Sequence, residues 1–136
     1  MKFNGVILQK LNTLETVTGE LRSVLPVTEQ QLAGDWRTRR AVERDLQIAV
    51  EVIIDVCQRL ISLAGQTPAT SGGAAVEKCV ALGALSGLDP YRKMIQFRNH
   101  LVHRYDIIEP KLLAELVNLR LGDFDQFRQE ILDFAS

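Results

Sequence analysis

One short segment concentrates side chains that can do chemistry. Arg98-Asn99-His100-Leu101-Val102-His103-Arg104-Tyr105 holds both of the chain's histidines, two arginines, an asparagine and a tyrosine, at the end of an otherwise apolar run. At about 100° per residue, Asn99 and His103 share a helix face, and Arg98 and Tyr105 are nearly aligned. Arg98 and His103 stand roughly 140° apart with Asn99 between them, a gap that an arginine side chain spans. Arg98, Asn99, His103 and Tyr105 can therefore border one polar pocket, while His100 and Arg104 point mostly elsewhere.

A histidine takes or gives a proton near neutral pH. An arginine holds a phosphate and stabilises charge that develops on it. Together they suffice for RNA cleavage without a metal ion, the ribose 2′-hydroxyl acting as internal nucleophile. The residues alone equally allow a helix C-terminus decorated with cations, which the macrodipole favours. His100 reads as a surface or interface histidine. A metal site is not indicated. Only His100 and His103 approach ligand spacing, and Asp106 at a helix end is a poor third ligand. Gly72-Gly73 lacks the Lys-Ser/Thr of a phosphate loop.

These side chains need elements to hold them. The chain has 136 residues, 46% hydrophobic and 24% charged, which suits one globular domain over residues 1–136 and excludes intrinsic disorder. Sixteen basic and 17 acidic residues give a net charge of −1, which excludes a highly basic coat protein but not a local basic site. Cys57 and Cys79 are too few for a disulfide framework or a structural zinc site, and read as reduced thiols. The N-terminal apolar stretch is too short for a signal peptide, and no run reaches the roughly 20 residues of a membrane helix. A soluble, cytoplasmic protein is expected.

Gly and Pro divide the chain into helical segments. The first spans about Asn4 to Leu25 and stops at Pro26; Thr28 to Gln31 then offers a capping box and a short turn. The longest begins after Asp35 and runs to about Ala64, with one apolar stripe through Val42, Leu46, Val50, Ile53, Cys57 and Leu60. Ile48, Val52, Val56 and Leu63 form a second stripe, which predicts a helix buried on more than one side and a homodimer contact. Ala74 to Leu85 is a short helix; the next takes Asp89 as N-cap and Pro90 as first residue, and ends near Tyr105. The last runs from Pro110 to about Phe134, with Gly122 placed to bend or split it. No segment alternates as a strand does. The expected fold is all-α, a bundle of four to five helices.

The motif resembles the R-N-x-x-x-H-x-Y signature of the HepT-like branch of the HEPN superfamily. Phe97 to Tyr105 is similar to that family's F-R-N-x-L-V-H-x-Y string, and Ala41-Val42-Glu43-Arg44-Asp45-Leu46-Gln47-Ile48-Ala49-Val50-Glu51 is similar to its second-helix string. The resemblance covers nearly the whole chain. It implies a dimeric HEPN-type bundle acting as the toxin ribonuclease of a toxin–antitoxin pair, with the active site in a cleft between protomers. It implies catalytic roles for Arg98 and His103. It makes Tyr105 the residue to which a minimal nucleotidyltransferase antitoxin of the MntA kind transfers AMP from ATP, inactivating the toxin. No cofactor is implied.

Asn99 matches the family's polar residue and is expected to orient His103 or contact RNA. Glu43 is expected either as a supporting polar group of the site or in a surface pair with Arg39 or Gln47. Arg37, Arg40 and Arg44 share a helix face, and with Arg104 make either a solvated surface or an RNA-phosphate or partner-contact strip. Trp36 is expected to close the bundle as a hydrophobic lid rather than to serve as a base-stacking platform. The alternative function is a non-catalytic nucleotide- or partner-binding subunit of the nucleotidyltransferase.

Overall fold

The computed structural model describes residues 5–103 and 109–135; the side chains of Val102 and His103 lie outside that description. Its helices are α1 (Gly5–Ser23), α2 (Glu29–Gly34), α3 (Trp36–Leu63), α4 (Gly72–Ala81), α5 (Tyr91–His103), α6 (Pro110–Leu119) and α7 (Gly122–Ala135). The described residues contain no strand, and none of their helices is long and apolar enough to cross a membrane. The fold is all-α, as expected. The helices number seven among the described residues rather than four to five, because two weak features became elements.

The first is the capping box. Thr28 accepts from the Gln31 backbone N–H, and the Gln31 side chain accepts from the Thr28 N–H. Both first-turn donors are thus satisfied, and α2 forms. The second is the break between α6 and α7. Arg120 N–H still closes onto the Leu116 carbonyl, but Asp123 and Phe124 N–H turn back to Arg120 and Leu121, so a new axis starts at Gly122. At α5 the expected start shifts by one residue: the Asp89–Pro90 peptide is cis and the helix opens at Tyr91. At α4 the start comes earlier, because Ser71 caps the Ala74 N–H.

α3 is the central element. Asp35 caps it by accepting from the Arg37 and Thr38 N–H groups and from the Thr38 hydroxyl. Its side chains Val42, Leu46, Ala49, Val50, Ile53, Cys57 and Leu60 are buried. So are Val52 and Val56 of the second stripe. These lie toward α1, where Lys10 pairs with Asp55 and borders a depression with Val56 and Ile7. Of the second stripe, Val52 and Val56 are covered within the chain, while Ile48 is half-buried and Leu63 is 43% exposed. Cys57 and Cys79 are buried free thiols. Cys79 donates to the Cys57 carbonyl, and the Cys57 thiol, donating to the Cys79 sulfur and buried, is raised well above its ordinary range.

Candidate functional site

α5 lies against α3 in the opposite direction. Ile95 and Ile54 meet at Gly72, and one turn further along each helix Arg98 meets Glu51. Gly72 makes this approach close: a Cβ there would stand 3.0 Å from Ile54 Cδ1 and 3.1 Å from Ile95 Cγ2.

The Arg98 side chain is only 26% exposed and Glu51 34%. An arginine in that setting needs anionic partners. Its Nη2 lies 3.5 Å from Glu51 Oε1, and its Nη1 donates to Asn99 Oδ1 at 3.1 Å. Glu51 is held in turn by the Gln47 amide, which donates to Oε1 at 2.9 Å. The Arg98 Nε is buried with no hydrogen-bond partner among the described residues. The result is a guanidinium held on two sides, in a side chain that is still about a quarter exposed. Such a group can hold a phosphate without first losing its orientation.

Asn99 is exposed and engaged with Arg98. His103 is the last residue of α5 and follows Arg98 by about 7.5 Å along the axis. Arg104 and Tyr105, and the side chain of His103, lie outside the described residues.

Glu43 does not meet Arg98. It pairs with Arg39 at 3.5 Å and with Arg40 at 4.0 Å, two turns nearer the start of α3; this is the Arg39 partner that the spacing allowed, although the pair is mostly buried rather than on the surface. Arg37, Arg40 and Arg44 are all exposed on α3. Trp36 departs from expectation. It is 62% exposed and closes nothing; the Arg37 guanidinium lies over its ring, 5.4 Å from the centroid. Trp36 is the first residue after the Asp35 cap and shares a helix face with the exposed Arg40 and Arg44 rather than with the buried Val42.

Glu51 and Gln47, which hold Arg98 from α3, are candidate site residues that sequence reasoning missed. The available signal was the spacing Glu43, Gln47, Glu51, which puts three polar groups on one face of an otherwise buried helix. A larger cavity of about 420 Å³ lies between α3, α5, α6 and α7 and is bordered by Leu46, Val50, Met94, Phe97, Leu116 and Phe124. By helical phase Met94 and Phe97 lie on the flank of α5 away from Asn99, and Lys93, Arg120 and Asp123 also border this cleft.

The sequence matches the family described as Ribonuclease HepT-like over residues 14–131. A search of curated proteins finds no match. Among solved structures the chain is similar to a tri-AMPylated Shewanella oneidensis HEPN toxin in complex with an MNT antitoxin. The TM-score is 0.86 at 22% identity, over 96% of this chain and 99% of that one. It is also similar to a chain of a toxin–antitoxin complex with AMP-PNP, at a TM-score of 0.83 and 21% identity over 96% of this chain and 98% of that one. At these identities the likeness establishes the fold.

Proposed function

The chain belongs to the HepT-like ribonuclease family, and from that premise we propose that it is the toxin of a toxin–antitoxin pair, an RNA endonuclease working without a metal ion. The observation that carries this reading is the anchored guanidinium of Arg98, held by Glu51 and Asn99 in the helix that ends at His103. Family membership and the toxin–antitoxin complexes among its structural relatives support it.

In the proposed reaction His103 takes the proton of a ribose 2′-hydroxyl, and the oxygen attacks the adjacent phosphorus. Arg98 binds the non-bridging oxygens and stabilises the charge gathering on them. The 5′-oxygen departs with a proton returned by a protonated histidine, leaving a 2′,3′-cyclic phosphate and a 5′-hydroxyl. Asn99 keeps Arg98 in place, Glu43 is a supporting group further along α3, and Arg37, Arg40, Arg44 and Arg104 are proposed RNA contacts. The working unit is a homodimer.

Control belongs to the partner. We propose that a minimal nucleotidyltransferase antitoxin of the MntA kind transfers AMP from ATP to the Tyr105 oxygen and releases pyrophosphate. Modification two residues from His103 puts bulk and negative charge where an RNA phosphate must sit.

The test is cleavage of total RNA by protein made without the nucleotidyltransferase, alongside intact mass after co-expression with it. Wild-type protein is expected to cut RNA, and His103→Ala to be inactive with unchanged thermal stability. Co-expression is expected to add whole AMP units that disappear in Tyr105→Phe. Unmodified wild-type protein that cuts no RNA yet binds the partner and nucleotide sinks the enzyme reading in favour of a non-catalytic subunit.

A further inference from the structure

Trp36 is the chain's only tryptophan, it is 62% exposed, and nothing in the proposed reaction uses it. Its position on α3 is informative. At about 100° per residue, Trp36, Arg40, Arg44, Gln47 and Glu51 fall within an arc of about 80°. One stripe of the helix therefore leads from the indole, past two exposed arginines, to the carboxylate that holds Arg98. Its length from Trp36 to Glu51 is about 22 Å, a span of a few nucleotides of single strand.

The charges along this stripe are partly spoken for. Glu43 carries Arg39 and Arg40, although the Arg40 side chain remains 68% exposed. Asp35 is occupied with the backbone and hydroxyl of Thr38 and the Arg37 N–H, and so fixes Trp36 between cap and first turn. Of the exposed large hydrophobic side chains, only Trp36 lies on this stripe. An exposed indole set among arginines, with a guanidinium already over its ring, suits a flat, electron-rich partner on an anionic chain. An apolar protein surface would meet charged and polar side chains along the rest of this stripe.

We infer that Trp36 is a stacking platform for one unpaired base of the RNA strand, with Arg40 and Arg44 holding phosphates between that base and Arg98. The inference rests on the RNA-cleaving reading above and adds that the substrate is single-stranded where it crosses the start of α3.

Because Trp36 is the sole indole, its fluorescence reports on this site directly. The experiment titrates a fluorescein-labelled single-stranded oligouridylate into full-length His103→Ala protein, reading label anisotropy and Trp36 emission together. Inorganic polyphosphate serves as the base-free anion. Anisotropy and Trp36 quenching are expected to saturate at the same RNA concentration, with no quenching by polyphosphate. Trp36→Ala is expected to weaken RNA binding about 5- to 150-fold, and Trp36→Phe to keep most of the affinity.

RNA that binds with emission unchanged and equal affinity for Trp36→Ala overturns the platform and leaves the ribonuclease reading standing. The same holds if His103→Ala protein binds no oligouridylate while wild-type protein cuts RNA. Absence of both binding and cutting overturns the two readings together. Quenching by the nucleotidyltransferase but not by RNA overturns the platform and assigns Trp36 to that protein contact.

Discussion

In the proposed reaction, Arg98 contributes in proportion to how little it can turn away from the phosphate. Its freedom is limited by Glu51 on the facing helix and by Asn99 beside it. The ion pair itself is half-buried and contributes about 1 kcal/mol of stability at most. Its effect on orientation is the larger matter, because a catalytic cation stabilises the transition state only from a fixed place. Glu51→Gln keeps the size and the partner Gln47 but removes the charge. RNA cleavage is expected to fall about tenfold in kcat, equivalent to about 1.4 kcal/mol, while the melting temperature hardly moves. An undiminished kcat in a single-turnover cleavage assay excludes Glu51 as a positioning residue. The sequence made Arg98 and Asn99 legible because both lie in one contiguous motif. Glu51 was not legible as their partner, since it is 47 positions away and the pairing depends on the antiparallel register of α3 and α5. Glu43 is on the same face but two turns too early.

At the scale of elements, that register is set by small and charged groups at the seams. Gly72 lets the start of α4 sit against Ile54 and Ile95, one turn from the Arg98–Glu51 pair. Gly72→Val forces branched methyls into this space, and overpacking of this kind costs about 1–3 kcal/mol. The expected result is a lower melting temperature together with a larger loss of RNA cleavage, because the displaced element is α5. Cleavage retained in proportion to folded protein excludes that coupling. The seam between α1 and α3 holds an opposite case, a carboxylate beside a carboxylate. Burial, with Glu20 close by, raises Asp45 from 3.8 to about 6. Between those values the folded chain keeps a proton that the unfolded chain releases, so stability falls as pH rises through the window. Above it the repulsion is fully present, about 1 kcal/mol after allowance for solvent screening. Asp45→Asn is expected to melt about 3 °C higher than wild type near neutral pH and to lose that advantage near pH 4, read by circular dichroism. An equal difference at both pH values excludes the shared proton. Helix existence was readable from apolar spacing throughout. The extra breaks were not, because α2 and the α6–α7 junction are decided by local backbone hydrogen bonds rather than by periodicity.

For the whole molecule, the question is how one motif histidine completes a reaction that needs a proton taken and a proton given. The chain has two histidines, and only His103 stands at the motif's histidine position; His100, half-buried on the previous turn, is offset from it by about 60° on the helix wheel. In the proposed homodimer a second copy supplies the second His103, so base and acid come from different chains. The apolar pattern of α3 does not decide this, since Val52 and Val56, which suggested a partner, are buried within the chain, while Leu63 of the same stripe is exposed. The assembly is tested first by light scattering, with a mass twice 15.2 kDa expected. A sharper test joins one wild-type chain to one His103→Ala chain through two different affinity tags. If each chain worked alone, the mixed dimer would keep half of the wild-type rate. If the two histidines serve one cleft, removing either leaves the reaction without its base or its acid. The rate then falls about a hundredfold, the scale of a lost general acid–base group. The shared cleft is the expected result, and a mixed dimer retaining half the activity in a cleavage time course returns both proton transfers to a single chain.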